Sequence, residues 1–136
     1  MKVPNRILLI DDDPDDQLFF RDAVQVISPG LRCELTSGFM EAIKQLELPP
    51  LPDFIFMDLN MPVMNGFDCL DYLKTQIRYK DIPLIIFSTS KNLNDINRTK
   101  QLGAEWFLTK PDDFNELCKK LKKIIQKETV DGIYMI

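Results

Sequence analysis

The stretch RILLIDDD, from Arg6 to Asp13, decides how this chain folds. A short apolar run ends abruptly at three consecutive aspartates. Runs of this length that stop at polar residues are typical of strands buried on both faces of a parallel sheet. The sequence therefore predicts a first strand over Arg6–Ile10, with acidic side chains at its carboxyl end.

The same pattern recurs along the chain. The apolar runs FIFM, LIIF and WFLT end at Asp58, Ser88 and Lys110, and Cys33–Thr36 is a more polar strand suited to a sheet edge. The stretches between the runs repeat apolar residues at helical spacing. Alternating strands and helices predict an α/β fold with helices on both faces of the sheet. We expect a flavodoxin-like, doubly wound, five-stranded parallel sheet of order 2-1-3-4-5 with five helices.

Composition narrows the function classes. The chain has 136 residues, a formal net charge of -4 and no histidine. The acidic balance disfavours nucleic acid and anionic membranes as partners, and no apolar run approaches the ~20 residues that span a bilayer. The absence of histidine removes the commonest general base and the phosphohistidine of kinases. We expect a cytoplasmic protein that uses carboxylates, hydroxyls and lysine.

The carboxyl ends of parallel strands share one edge of a sheet, where ligands bind. This edge should gather Asp11, Asp12, Asp58, Ser88 and Lys110. Two carboxylates 4 Å apart repel by about 4 kcal/mol at an effective dielectric near 20, so the cluster must take up protons or a cation. Oxygen ligands without histidine or cysteine favour Mg²⁺. A carboxylate flanked by a metal, a lysine and a hydroxyl is suited to accepting a phosphoryl group.

Two motifs carry a resemblance to a known family. ILLIDDDPDD, over residues 7–16, and MDLNMPVMNG, over residues 57–66, resemble the receiver domains of two-component response regulators, especially single-domain, chemotaxis-type members. The resemblance implies that Asp58 is the phosphoacceptor. It also implies a Mg²⁺ site made by Asp11, Asp12, Asp58 and the backbone carbonyl of Asn60.

The resemblance further implies a switch. PLIIFSTS places the switch hydroxyl at Ser88, five residues after Pro83, although a slip of one residue would give the role to Thr89. Phe107 stands where the family has its switch aromatic. Lys110 is the family's catalytic lysine, and a cis peptide bond is implied before Pro111.

The implied activity is signalling and not turnover of many substrates. A histidine kinase or phosphotransfer protein would supply the phosphoryl group, and the fourth helix, fifth strand and fifth helix would bind a downstream protein or a second copy. We expect residues 1–129 to form the receiver and no output domain to follow. Residues 130–136, VDGIYMI, form an apolar tail. It is expected either to be disordered or packed back on the domain, as termini commonly are, or to serve as a docking or dimer-swapping segment.

Two rival functions fit parts of the sequence. Asp11 and Asp13 form the D-x-D signature of haloacid-dehalogenase-type phosphatases, but that interpretation leaves MDLNMPVMNG unexplained. A flavodoxin would need a hydroxyl- and glycine-rich phosphate loop in place of the aspartates. Asp13 precedes Pro14 and is better interpreted as the N-terminal cap of the first helix.

Overall fold

The computed structural model describes residues 5–63, 65–126 and 134–136. Its strands are β1 (Arg6–Ile10), β2 (Arg32–Thr36), β3 (Phe54–Met57), β4 (Leu84–Ser88) and β5 (Trp106–Thr109). All pair in parallel in the order β2-β1-β3-β4-β5. The fold class and the strand order predicted from the sequence are confirmed.

The helices alternate with the strands as expected. They are α1 (Pro14–Ile27), α2 (Phe39–Leu46), α3 (Gly66–Thr75), α4 (Leu93–Gln101) and α5 (Phe114–Ile125). Four of them begin with a side-chain cap, whose oxygen accepts backbone N–H groups of the first turn. The cap residues are Asp13, Asn65, Asn92 and Asp113. Such caps satisfy donors that the helix itself leaves unpaired, so each helix begins at a defined residue beside the sheet.

The sheet separates two apolar layers. Leu8 and Ile10 of β1 face a cluster shared with α2, α3 and α4, whereas Ile7 and Leu9 face a cluster shared with α1 and α5. Each of these four side chains is 0% exposed. Because neighbouring residues of a strand point to opposite faces, one unbroken apolar run serves both layers.

Arg6 is buried at the start of β1, at the opposite end of the sheet from the aspartates. Its guanidinium donates to both carboxylate oxygens of Glu34, each at 2.8 Å, and to the backbone carbonyls of Gln45, Leu48 and Pro50. A planar guanidinium can serve several acceptors at once. Arg6 thus ties β1 to β2, to the end of α2 and to the segment that follows it.

The segment Tyr134–Ile136 extends along β5. The backbone N–H of Phe107 donates to the carbonyl of Tyr134 at 3.0 Å, and that of Ile136 donates to the carbonyl of Phe107 at 2.9 Å. Met135 pairs with Phe107 in a parallel bridge. In these three residues the predicted tail therefore packs on the domain, while residues 130–133 lie outside the described part.

Two apolar side chains near helix ends are exposed. Ile77 lies beyond the end of α3 and is 85% exposed, and Leu93 opens α4 at 68% exposure. Helix α4 buries only Ile96 and Thr99. Among the described residues, no helix combines the length and the apolar composition that crossing a membrane requires.

We predict that Gly66→Ala destabilises the domain. A Cβ at Gly66 would lie 2.5 Å from the Cα of Leu59 and 2.8 Å from the carbonyl oxygen of Asp58. The loop after β3 would have to move, and we expect a loss of about 2 kcal/mol in the free energy of unfolding, measured with urea. Alanine's better helix propensity, worth about 1 kcal/mol, would otherwise favour the substitution.

Gly30→Ala is the matched control, because a Cβ there meets nothing within 4 Å. We expect its free energy of unfolding to stay within about 0.5 kcal/mol of the wild type. Equal unfolding midpoints for the two variants would contradict the close approach of α3 to Leu59.

Candidate functional site

The parallel ladders continue one residue beyond the strands and place the functional residues at one edge. The backbone N–H of Asp11 donates to the carbonyl of Thr36 at 2.9 Å, and that of Asp58 donates to Ile10 at 2.9 Å. The backbone N–H of Lys110 donates to Ser88 at 2.8 Å. Asp11, Asp58 and Lys110 are thus held in the sheet's own register.

Lys110 lies among three carboxylates. Its Nζ is 2.8 Å from Asp11 Oδ2, 2.8 Å from Asp16 Oδ2 and 3.3 Å from Asp58 Oδ2. Asp11 is fully buried and Asp58 is 6% exposed. An ammonium group has three hydrogens to donate, and here each has a carboxylate acceptor.

Asp16 was not among the sequence-predicted site residues. It lies in the first turn of α1, where an acidic side chain interacts favourably with the helix dipole. Asp11 follows the end of β1 and Asp16 lies within α1, so Lys110 joins carboxylates from two different elements. The contact of Asp16 with Lys110 joins residues 94 positions apart, and no local pattern signals it.

Burial and neighbouring charges together alter the pKa values of Asp11 and Lys110. Burial raises the pKa of Asp11, and the hydrogen bond from Lys110 only partly opposes that rise. Burial alone would lower the pKa of Lys110, but the hydrogen bonds with Asp11 and Asp16 and the charge of Asp58 outweigh it and raise that pKa. The lysine is therefore a permanent cation at the centre of the site.

Asp11, Asp12 and Asp58 form an acidic cluster. One carboxylate oxygen from each lies within 4.8 Å of the others. Asp12 is exposed at the rim, whereas Asp11 and Asp58 are buried. A donor set made only of oxygens, open on one side, fits a hard divalent cation that keeps several waters.

Asn60 lies beside the cluster. Its backbone N–H donates to Asp58 Oδ1 at 3.3 Å. Asp58 therefore has one oxygen directed to the loop after β3 and the other directed to Lys110. The predicted role of the Asn60 carbonyl as a metal ligand stays a prediction.

The residues predicted for the switch differ in burial. Ser88 closes β4 and is 0% exposed, and its Oγ accepts the backbone N–H of Ser90 at 3.3 Å. Thr89 is exposed. Phe107 is 0% exposed and packs in the same cluster as Ile96 of α4. Burial at the sheet edge favours Ser88 over Thr89, and the switch roles themselves stay predictions.

One expectation about the backbone is wrong. The cis peptide bond of the described residues joins Pro49 to Pro50, and the bond between Lys110 and Pro111 is not cis. The trans form is the more stable one for an X-Pro bond by about 0.5–1 kcal/mol.

Asp13 serves as a helix cap. Its Oδ1 accepts the backbone N–H groups of Asp15 at 2.9 Å and Asp16 at 3.3 Å. The second aspartate of the D-x-D signature is therefore occupied at the start of α1, and the phosphatase alternative is not favoured.

Comparison with known proteins identifies the family. Residues 7–122 match the family described as the response regulator receiver domain. The chain belongs to this family. The recognition made from ILLIDDDPDD and MDLNMPVMNG is therefore confirmed, and the protein is a receiver domain of the two-component type.

Relatives of this receiver domain support the assignment. Response regulator Rcp1 of Synechocystis sp. is 26% identical over 130 residues, which cover 89% of this chain and 86% of Rcp1. The two-component response regulator ORR5 of Oryza sativa subsp. japonica is 30% identical over 118 residues, which cover 85% of this chain and 87% of ORR5.

Solved receiver structures have the same fold. The Mn²⁺-bound form of Rcp1 superimposes with a TM-score of 0.79 at 26% identity, covering 93% of this chain and 97% of that one. The chemotaxis response regulator CheY4 of Vibrio cholerae gives a TM-score of 0.77 at 26% identity, covering 89% of this chain and 98% of that one. The fold is therefore that of chemotaxis-type receivers.

We predict that Lys110→Met destabilises the receiver. The substitution leaves the buried carboxylate of Asp11 without its cation, close to Asp58. Removing one partner of a buried pair costs about 3 kcal/mol, measurable as a lower free energy of unfolding in urea without divalent cations.

The double variant Lys110→Met/Asp11→Asn is the control for charge. Because it removes the unpaired carboxylate as well, we expect it to unfold at a higher urea concentration than Lys110→Met alone. A single variant as stable as the wild type would show that Lys110 does not neutralise this cluster.

Proposed function

We propose that this receiver domain accepts a phosphoryl group on Asp58, with Mg²⁺ bound at the acidic cluster, and signals through phosphorylation-dependent protein–protein interaction. The observation that carries the proposal is the contact of Lys110 with Asp58 Oδ2 at 3.3 Å and with Asp11 Oδ2 at 2.8 Å. The ammonium group of Lys110 thus contacts both the acceptor, Asp58, and a proposed metal ligand, Asp11.

The reaction uses groups at one edge of the sheet. A carboxylate oxygen of Asp58 attacks phosphorus, a new O–P bond forms, and the bond to the donor's leaving group breaks with its electron pair. Lys110 neutralises charge that gathers on the phosphoryl oxygens, and the hydroxyl of Ser88 donates a hydrogen bond to one of them. The product is an acyl phosphate at Asp58.

Asp11, Asp12 and Asp58 would hold the metal, with the backbone carbonyl of Asn60 as a further ligand. Bound Mg²⁺ would neutralise the carboxylates and the incoming phosphoryl group. The donor set supports this proposal, since its members are oxygens within 4.8 Å of one another. Rcp1, a relative at 26% identity, has a Mn²⁺-bound form.

The signal would pass from Asp58 to α4, β5 and α5. Phosphorylation would draw the hydroxyl of Ser88, or of Thr89 in its place, toward Asp58. The side chain of Phe107 would then turn into the space that this hydroxyl vacates. Helix α4 buries only Ile96 and Thr99, so its position is open to such a shift. The phosphoryl group can shift the equilibrium between the two positions of α4 only through contacts that differ between them.

The partners follow from the chemistry. The chain has no histidine of its own, so the phosphoryl group comes from a histidine kinase, a phosphotransfer protein or a small phosphodonor. A downstream protein or a second copy would bind the surface of α4, β5 and α5. We place these events in the cytoplasm, without nucleic acid and without a membrane.

We predict one phosphoryl adduct on the intact protein after incubation with acetyl phosphate and Mg²⁺. Intact-protein mass spectrometry should show it in the wild type and in Asp71→Asn, which changes an exposed residue of α3. Asp58→Asn and a chelator-treated sample should show none, because the acceptor or the metal is missing.

A different pattern would favour the phosphatase. Steady release of phosphate that survives Asp58→Asn but stops in Asp11→Asn would contradict a receiver that stores the phosphoryl group on Asp58.

We also predict that Asp16→Asn speeds phosphorylation of Asp58. Asp16 holds Lys110 at 2.8 Å, closer than Asp58 does at 3.3 Å, and so draws the ammonium away from the acceptor. A partly exposed ion pair is worth about 0.5–1 kcal/mol, which corresponds to a rate increase of about 2- to 5-fold.

Asp15→Asn is the matched control for this rate. It removes the same charge one residue away, and Asp15 is not one of the three carboxylates that contact Lys110. Mass spectrometry over time measures the rate of phosphorylation of each variant. Equal rates would show that net charge and not the Asp16 contact controls phosphorylation.

A further inference from the structure

The exposed edge of the sheet is filled by the chain's own terminus. Strand β5 ends the strand order, so one side of it has no partner within the five-stranded sheet. Tyr134–Ile136, here called the tail segment, lies there in parallel and makes both of its backbone hydrogen bonds with Phe107, at 3.0 and 2.9 Å. An edge strand is a ready template for an added strand, and the tail segment uses it.

A side-chain hydrogen bond selects the occupant of this edge. The hydroxyls of Tyr134 and Thr99 are 2.6 Å apart, and the Thr99 hydroxyl donates to the carbonyl of Ile96 at 2.7 Å. Threonine has one hydroxyl hydrogen, so Tyr134 must donate to Thr99. Thr99 is 0% exposed, and the bond therefore fixes the tail segment to the buried side of α4.

The tail segment covers both apolar layers at the edge. Tyr134 packs against the cluster that contains Phe107 and Ile96, whereas Ile136 packs against the cluster that contains Leu108 and Leu121. Met135, between them, is 42% exposed and points away. Burial raises the pKa of the Tyr134 hydroxyl to about 12, so Tyr134 stays a neutral donor near pH 7.

We propose that the tail segment is an intramolecular competitor for the surface formed by α4, β5 and α5. A protein that docks there through an extended strand parallel to β5 must first displace Tyr134–Ile136. The importance of this surface for signalling rests on the proposed function, whereas the competition itself does not.

The contacts make the tail segment displaceable. Its hydrogen bonds to the described residues are two from the backbone and one from a side chain, each of modest net value because water competes for the same groups. The apolar contacts of Tyr134 and Ile136 add to them, but both side chains stay only partly buried. A tethered strand nevertheless competes at an effective concentration of the order of millimolar. The apparent affinity of any partner for β5 therefore falls in proportion to the fraction of molecules whose edge is unfilled. Because both backbone bonds are to Phe107, the partner would replace the tail segment at the predicted switch residue.

The test uses the full-length chain and a fluorescein-labelled synthetic peptide of residues 130–136, VDGIYMI, as the probe. Fluorescence anisotropy measures its binding to the wild type, Tyr134→Ala and Met135→Ala. We expect Tyr134→Ala to bind the peptide about tenfold more tightly than the wild type, because its own tail segment is weakened. Met135→Ala, which alters the exposed residue, should match the wild type.

Tyr134→Phe covers the case in which Tyr134→Ala unfolds. It keeps the ring and removes only the hydrogen bond to Thr99, so we expect it to bind the peptide about threefold more tightly than the wild type. Amide exchange of Ile136, followed by NMR, reports independently whether the tail segment has left β5. Faster exchange without tighter peptide binding would overturn the proposal and leave the tail segment as a simple edge cover.

Two further controls separate the possible failures. A wild type that is dimeric at micromolar concentration, with a monomeric Tyr134→Ala, would overturn the intramolecular proposal in favour of exchange between copies. Repeating the titrations in Asp58→Asn should give the same affinities, since docking needs no phosphoryl group. If Asp58 takes no phosphoryl group and the peptide results still hold, only the proposed function fails.

Discussion

The charge balance around Lys110 is the constraint on which the site depends. A parallel sheet brings the ends of β1 and β3 together, and with them the buried carboxylates of Asp11 and Asp58. Such groups repel in a poorly solvated place, and the ammonium of Lys110 offsets that repulsion from the end of β5. The proposed function depends on the same balance, since a divalent cation and a phosphoryl group would both need compensating charge there.

The fold supplies this arrangement through its backbone. Hydrogen bonds from Asp11, Asp58 and Lys110 to the neighbouring strand continue the ladders past the strand ends, so three separate loops start from fixed positions. Gly66 lets α3 approach Leu59 closely, which sets the path of the loop that carries Asn60. The close approach of Gly66 to Asp58 and Leu59 therefore belongs both to the packing of α3 and to the geometry of the site.

The edge at β5 joins the site to the surface. Lys110 and Phe107 belong to one short stretch of chain, the first at the charge cluster and the second paired with the tail segment. In the proposed function, a change at Asp58 that shifted this stretch would also alter binding at the outer side of β5. Coupling between the charge cluster and the tail segment would need only one element, β5, with two arrangements.

The sequence by itself determined the fold class and the order of strands and helices, because apolar periodicity and the polar residues at strand ends are local features. It also predicted which residues meet at the sheet edge, since a parallel sheet gathers the carboxyl ends of its strands. Tertiary structure alone decided three contacts: Arg6 with Glu34, Asp16 with Lys110, and Tyr134 with Thr99. Their partners lie 28, 94 and 35 positions apart. Each is a charged or hydroxyl side chain whose local interpretation is a solvated face or a helix end, and only packing brings the partners within hydrogen-bond distance.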